Sequence, residues 1–137
     1  AAEILLRQEL DLAKIRPLES ARWAGAVDNL GGDILAWIAA GMKQGGTIAS
    51  IGLAASMSLN TTVAPFILRG ACLLGIDSGY IGEPYRSGVW QRLASDLRPP
   101  HLASMSRGVA FDELPVLFEE YVGGKARGRV VVTLGGA

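Results

Sequence analysis

The sequence is poor in the residues that usually announce chemistry. It has one cysteine, Cys72, and one histidine, His101. A single cysteine excludes a disulfide within the chain, so a reducing cytoplasm is the expected location. One Cys and one His far apart cannot build a structural zinc site without several carboxylates, and no metal is expected. A nucleophile–base pair is also hard to assemble. Ser56, Cys72 and Ser78 have no histidine near them in sequence, and His101 follows two prolines in an expected surface loop. No catalytic residue is assigned. Charge of one sign is also missing. Thirteen basic residues balance thirteen acidic ones, so nucleic acid or an acidic membrane surface gains no support as a partner. No apolar run is long enough to span a bilayer. Absent too is a G-x-G-x-x-G string after a strand, the motif that cradles a pyrophosphate. The opening AAEILLRQELDL carries early charges and no secretory pattern. It lacks an initiating Met and begins in structured-looking sequence, which raises the expectation of a truncated chain.

What is present is burial and punctuation. Half of the 137 residues are hydrophobic and the mean hydropathy is +0.30, enough for one domain with a sizeable core. The 18 glycines fall singly or in pairs at the ends of apolar runs. Glu3 to Leu6 is a candidate short strand, and residues 8 to 22 read as a charged loop with a helical turn. Trp23 to Val27 is a strand that stops at Asp28-Asn29-Leu30-Gly31-Gly32, a natural strand-to-helix turn. Asp33 is the expected N-cap of a helix carrying Ile34, Leu35, Trp37, Ile38 and Met42 at helical spacing. Gly41 and Gly45-Gly46 end that helix before the next strand.

The stretch from Gly45 to Ser78 organises the rest. Thr47 to Ile51 is a buried strand that stops at Gly52; a polar loop and a short apolar helix follow. Ala71 to Ile76 is a second buried strand, ending at Asp77-Ser78. Strands alternating with helices point to a parallel sheet with right-handed crossovers. Ligand crevices of such sheets open at the strands' carboxyl ends. Asp28 and Asp77 sit at such ends, where capping the next turn competes evenly with touching a ligand. In the second half, Pro84 to Leu97 places Val89, Trp90, Leu93 and Leu97 on one helical face. Trp37 and Trp90 are expected in the core. Ser106 to Phe111 is a candidate strand, Asp112 the cap of a helix through Tyr121 with Pro115 in its first turn, and Arg129 to Leu134 a last strand. Arg127 and Arg129 are expected to be solvated.

Several strings carry a family resemblance: WAGAVDNLGG, GGTIASIGLA, TTVAPFILRG, LLGIDS, VWQRLASDL and GKARGRVVV. Together they cover essentially the whole chain, and TTVAPFILRG followed by LLGIDS is the most specific. The chain resembles the medium-chain dehydrogenase/reductase superfamily, its zinc-independent quinone oxidoreductase branch, and there the acrylyl-CoA reductase-like group. The resemblance implies a C-terminal portion of a longer reductase. The fold would be α/β, a partial doubly wound Rossmann-type parallel sheet over residues 1–82. Residues 83–137 would return to a GroES-like catalytic domain. It further implies NADPH as cofactor, an enoyl-CoA or quinone as small-molecule substrate, and a homodimer paired through the edge strand at 71–77. Position by position, it carries cofactor contacts onto Arg7, Gly52, Leu53, Ile67 and Ser78, with Leu53 toward the nicotinamide half and Arg7 toward the adenosine end. The asparagine-bearing tail common in the family is replaced by Leu134-Gly135-Gly136-Ala137. On the residues by themselves, Leu53 and Ile67 could be core, Ser78 a turn residue and Arg7 a solvated end; the cofactor readings are favoured because all four lie at strand or helix ends on one side of the expected sheet. The rival reading is a non-enzymatic oligomerisation or binding module of partial Rossmann fold, supported by apolar content that an incomplete sheet leaves exposed.

Overall fold

A computed structural model of the chain describes residues 2–135. It divides into two compact units, one up to Ile81 and one from Gly82. In the first, strands β1 (Trp23–Asp28), β2 (Met42–Ser50) and β3 (Cys72–Gly75) form a parallel sheet in the order β1-β2-β3. Helix α1 (Gly32–Ala40) links β1 to β2, and helix α2 (Ala64–Arg69) links β2 to β3. The expected alternation of parallel strands and helices is therefore what forms. Ile48 near the end of β2 and Met42 at its start are fully buried, and Leu35, Ala39 and Ala71 complete the core cluster. Trp23, Ile38, Phe66 and Leu73 pack around it. Removing a side chain the size of Ile48 from such a site costs about 2–5 kcal/mol.

Pairing is in step across the sheet. Ala26, Ile48 and Leu73 form one row, Val27, Ala49 and Leu74 the next, and Asp28, Ser50 and Gly75 the last. Side chains alternate between faces along a strand, so the first and last rows share the helix-covered face. The middle row lies on the other face, where Val27 and Leu74 are exposed.

Four sequence expectations need correction in this unit. Glu3 to Leu6 is not a strand, although Leu6 has extended backbone angles. Among the described residues it has no neighbouring strand to take its hydrogen bonds, and an unpaired extended segment is not a ladder. Short 3-10 turns follow at Arg7–Glu9 and Leu12–Lys14. Asp33 is not the N-cap of α1. Gly31 holds that place, because Asp28 reaches forward to take the turn's N–H groups. Gly41 alone separates α1 from β2, and Gly45-Gly46 lie inside β2. The register explains this: Trp23 pairs with Met42 but Gly25 with Thr47, so β2 takes extra residues as a bulge. Finally, the strand expected at Ala71 to Ile76 is shorter and mostly exposed rather than buried, because β3 lies at one of the sheet's two edges.

The second unit contains α3 (Tyr85–Ala94), β4 (Ser106–Ala110), α4 (Leu114–Val122) and β5 (Arg129–Thr133). Strands β4 and β5 pair in parallel, and Leu117 of α4 is its buried anchor. Arg107 of β4 is ion-paired with Glu120 of α4. Helix α3 forms where its periodicity placed it, yet Val89, Trp90, Leu93 and Leu97 are all exposed. Trp90, at 62% exposure, is not a core residue. Helical spacing shows which side chains share a face and leaves open what covers that face. Asp112 lies within a 3-10 turn, Phe111–Glu113, and the cap of α4 is Glu113, whose carboxylate accepts the Ala110 N–H at 2.7 Å. The tail residues Gly136 and Ala137 lie outside the described residues.

Candidate functional site

The carboxyl ends of β1, β2 and β3 open into a cleft of about 520 Å³. Ser50, Ile51, Gly52 and Leu53 form its floor, Gly31 and Leu35 of the α1 region one wall, and Gly75, Ile76 and Asp77 the other. Ser56 to Leu59 complete the lining of an open cleft.

The backbone around it is tightly laced. The Ile51 N–H donates to the Asp28 carbonyl at 2.8 Å, and those of Ala55 and Ser56 donate to the Leu30 carbonyl at 2.8 and 3.2 Å. The loop after β2 is thereby zipped onto the turn after β1. Two glycines make that approach possible. Gly31 has φ +68° and ψ −160°, angles almost confined to glycine. A Cβ there would lie 2.3 Å from the Ser56 carbonyl oxygen. A Cβ on Gly52 would lie 2.6 Å from the Asn29 carbonyl oxygen. Gly52, onto which the family resemblance carries a cofactor contact, is held against protein backbone on that side.

Asp28 is the buried polar centre, 2% exposed. Its carboxylate accepts the N–H groups of Leu30 and Gly31 at 3.1 Å and the Ser50 hydroxyl at 3.2 Å. Of the two roles the sequence left open for it, turn capping is the one its contacts describe. Asp77 caps as well, taking the Gly79 and Tyr80 N–H groups at 3.2 Å, but it also faces the cleft.

The sequence-derived contacts are only partly gathered here. Gly52 and Leu53 line the cleft, and Leu53 is exposed there rather than in the core. Ser78 follows the lining residue Asp77 but stands outside the lining. Ile67 lies on α2, 71% exposed. Arg7 opens the first 3-10 turn, exposed, far in sequence from the cleft. Ser50 was not singled out by sequence, because a serine at the end of a strand carries no signal until the strand register is known. Arg69 was missed for a similar reason. Its guanidinium donates to the carbonyls of Ala40, Met42 and Glu19 at 2.9, 2.8 and 2.5 Å, clamping the α1–β2 junction.

A second cavity, about 380 Å³, lies at the opposite end of the sheet beside Trp23 and Trp37, whose ring centroids are 5.7 Å apart. Its charges are partly spent on each other. The Arg16 guanidinium bonded to Glu19 holds that carboxyl down at about 2 and raises the arginine in turn. His101 is exposed in a turn and lines neither cavity.

Parallel strands, helical crossovers and a crevice at the carboxyl edge define an incomplete Rossmann-type sheet. The comparisons make that class specific. The chain is 44% identical over 134 residues to the acrylyl-CoA reductase AcuI of Ruegeria pomeroyi, covering 96% of this chain and 40% of the relative. Among solved structures, Bacillus subtilis YhfP with NAD bound matches with a TM-score of 0.89 and 38% identity, over 98% of this chain and 41% of that one. Escherichia coli YhdH with bound NADPH matches with a TM-score of 0.81 and 38% identity, over 91% and 39%. Over nearly its whole length the chain is similar to the C-terminal part of these oxidoreductases. It spans about 40% of the length of the curated relatives it matches. No protein-family model matches it.

Proposed function

We propose that this chain is the C-terminal portion of an NADPH-dependent, zinc-independent reductase acting on an activated alkene such as an acrylyl or enoyl thioester, or on a quinone. The observation that carries the reading is the cleft at the carboxyl ends of β1–β3, together with the likeness to nicotinamide-bound relatives over the same segment. The lining suits one half of a dinucleotide. Leu35, Ile51, Leu53 and Ile76 offer apolar contact to a flat ring, while Ser50 and Asp77 offer polar anchors. No Lys or Arg lines the cleft and no phosphate-binding glycine string is present, so the pyrophosphate must be held by residues other than these. The cofactor supplies hydride to the electron-poor carbon; the protein's part is to orient the ring and exclude water. Leu53 and Gly52 are the proposed ring-side contacts, with Ile67 and Ser78 beside them and Arg7 toward the adenosine end.

In this reading residues 1–82 are the later half of the cofactor domain, and residues 83–137 return to the catalytic domain. The exposed α3 face and the exposed edge β3 are then surfaces made to be covered, the latter by a second copy paired through 71–77. The expected location is cytoplasmic. The self-standing binding module is not favoured, since the relatives are reductases. The test is calorimetric NADPH binding, and NADPH oxidation with acrylyl-CoA, by the full natural polypeptide and by the 137-residue chain. The full polypeptide is expected to do both and the chain neither. Ordinary enzymatic turnover by the chain alone overturns the fragment reading; no NADPH binding by the full polypeptide overturns the cofactor.

A further inference from the structure

We propose that the cavity at the amino ends of β4 and β5 is an anion subsite for the phosphate monoester on the nucleotide tail of a coenzyme A thioester, with Arg127 and Arg129 as its donors. This rests on the thioester reading of the substrate and names the part of it that the second unit would hold.

Strands β4 and β5 run parallel with Ser106 opposite Arg129, so both begin at the same end. A cavity of about 340 Å³ lies there, and three arginines line it with no carboxylate among the described residues. The chain as a whole is neutral, so this is a local excess of positive charge. Arg107 is partly answered by its ion pair with Glu120. Among the described residues, neither Arg127 nor Arg129 has a carboxylate within ion-pairing distance. Two unpaired surface arginines are ordinarily just hydrated; here the backbone between them is fixed. Gly128 has φ +73°, and a Cβ on it would lie 2.4 Å from the Met105 carbonyl oxygen. The Arg129 N–H donates to that same oxygen at 2.7 Å, and the Lys125 N–H donates to the Glu120 carbonyl at 2.8 Å. The segment carrying both arginines is thus tied down at each end, which lowers the ordering cost of binding. Ser104 and Ser106 spend their hydroxyl protons on the carbonyls of His101 and Leu102 at 3.0 and 2.9 Å. The side-chain donors left for an anion are therefore guanidinium N–H groups, whose planar fork matches phosphate oxygens. A phosphate monoester carries about −1.5 to −2 charge near neutral pH and answers both free arginines, whereas a carboxylate answers one. Coenzyme A and NADPH each carry such a monoester. The cofactor cleft lies in the first unit, and the second unit returns to the catalytic domain in the reading above, which assigns this subsite to the thioester.

The discriminating experiment measures dissociation constants by calorimetry for coenzyme A, 3′-dephospho-coenzyme A and NADPH. It uses the full natural polypeptide and its Arg127→Gln, Arg129→Gln and doubly substituted variants. Arg98→Gln, an exposed arginine outside the cavity, is the control for net charge. Wild type and Arg98→Gln are expected to prefer coenzyme A over the dephospho form. Each single variant should lose about tenfold in affinity for coenzyme A, the scale of one charge-assisted hydrogen bond, and the double variant should lose the preference. Affinities for dephospho-coenzyme A and NADPH should stay as in wild type, which also shows that the variants fold. A preference that survives in the double variant, or is absent from wild type, overturns the subsite. Loss of NADPH affinity in place of coenzyme A affinity overturns its assignment to the thioester. If wild type binds NADPH but neither form of coenzyme A, the thioester reading falls and this subsite with it, while the cofactor reading stands.

Discussion

Replacing Gly31 by alanine isolates the feature that shapes the cleft. The perturbation is one methyl group at a backbone position with φ +68° and ψ −160°. Holding a non-glycine residue there costs about 1–3 kcal/mol. The methyl also meets the Ser56 carbonyl oxygen at 2.3 Å, and backbone cannot yield as a flexible side chain does. Relief requires the loop after β2 to lift, which breaks the bonds from Ala55 and Ser56 to the Leu30 carbonyl. At about 0.5–1.5 kcal/mol net for each bond, the total comes to roughly 2–6 kcal/mol. With a urea slope of about 1–3 kcal/mol per molar, the unfolding midpoint should fall by about 1 M or more, with the slope unchanged. Gly75→Ala is the matched control. It lines the same cleft, its Cβ meets nothing and its φ is not in the left-handed region. Reduced freedom of the unfolded chain should leave it neutral, or stabilised by up to about 1 kcal/mol. A Gly31→Ala midpoint within about 0.3 M of wild type, on the scale of those slopes, would refute the steric reasoning.

The other expectations follow the same logic. Arg69→Lys should destabilise by about 1.5–3 kcal/mol in chemical denaturation despite keeping the charge, because an ammonium cannot span the three carbonyls that the guanidinium ties together. Asp28→Asn should cost about 1–3 kcal/mol, since the amide's NH2 would face donors where the carboxylate accepted; a melting temperature equal to wild type would rule this out. The pH dependence has a definite sign. The Glu19 carboxyl is lowered from 4.5 to about 2 by Arg16, so its contribution is complete above about pH 4.5 and disappears as pH falls toward 2. Glu19→Gln should flatten the stability curve in that window and leave it unchanged at pH 7 relative to its own pH 5 value. Asp96, lowered by Arg92, acts in the same direction.

The fold's alternation of strand and helix was legible because it depends on local signals. The apolar run at Trp23 to Val27 ended in an Asp-Asn turn before paired glycines and that at Thr47 to Ile51 ended in glycine, and the helical spacing of Ile34 to Ile38 stood between them. Burial was less legible because it depends on neighbours. Trp37 and Trp90 have the same helical context, yet Trp37 packs against Trp23 while Trp90 is 62% exposed. Ala71 to Ile76 is as apolar as a central strand and lies at the edge. Glu3 to Leu6 had the composition of a strand but no partner for its ladder. Of the cleft, Gly52 and Leu53 could be found from the strand end they follow. Ser50 could not, since its meaning comes from Asp28 and Gly75, residues 22 and 25 positions away that only register brings beside it.

The lacing of residues 51–56 onto 28–31 also sets how the cleft can open. The amides of Ile51, Ala55 and Ser56 point their hydrogens at carbonyls of the preceding crossover, so none can exchange with solvent deuterium until both connections part together. Ser58, by contrast, donates only to a neighbouring serine hydroxyl on an exposed loop. In an exchange experiment the two groups should separate, with residues 57–62 labelled early and the hydrogen-bonded amides of Ile51, Gly52, Ala54, Ala55 and Ser56 late. The geometry around Ser50 would persist through such loop motion rather than being rebuilt for every ligand that arrives.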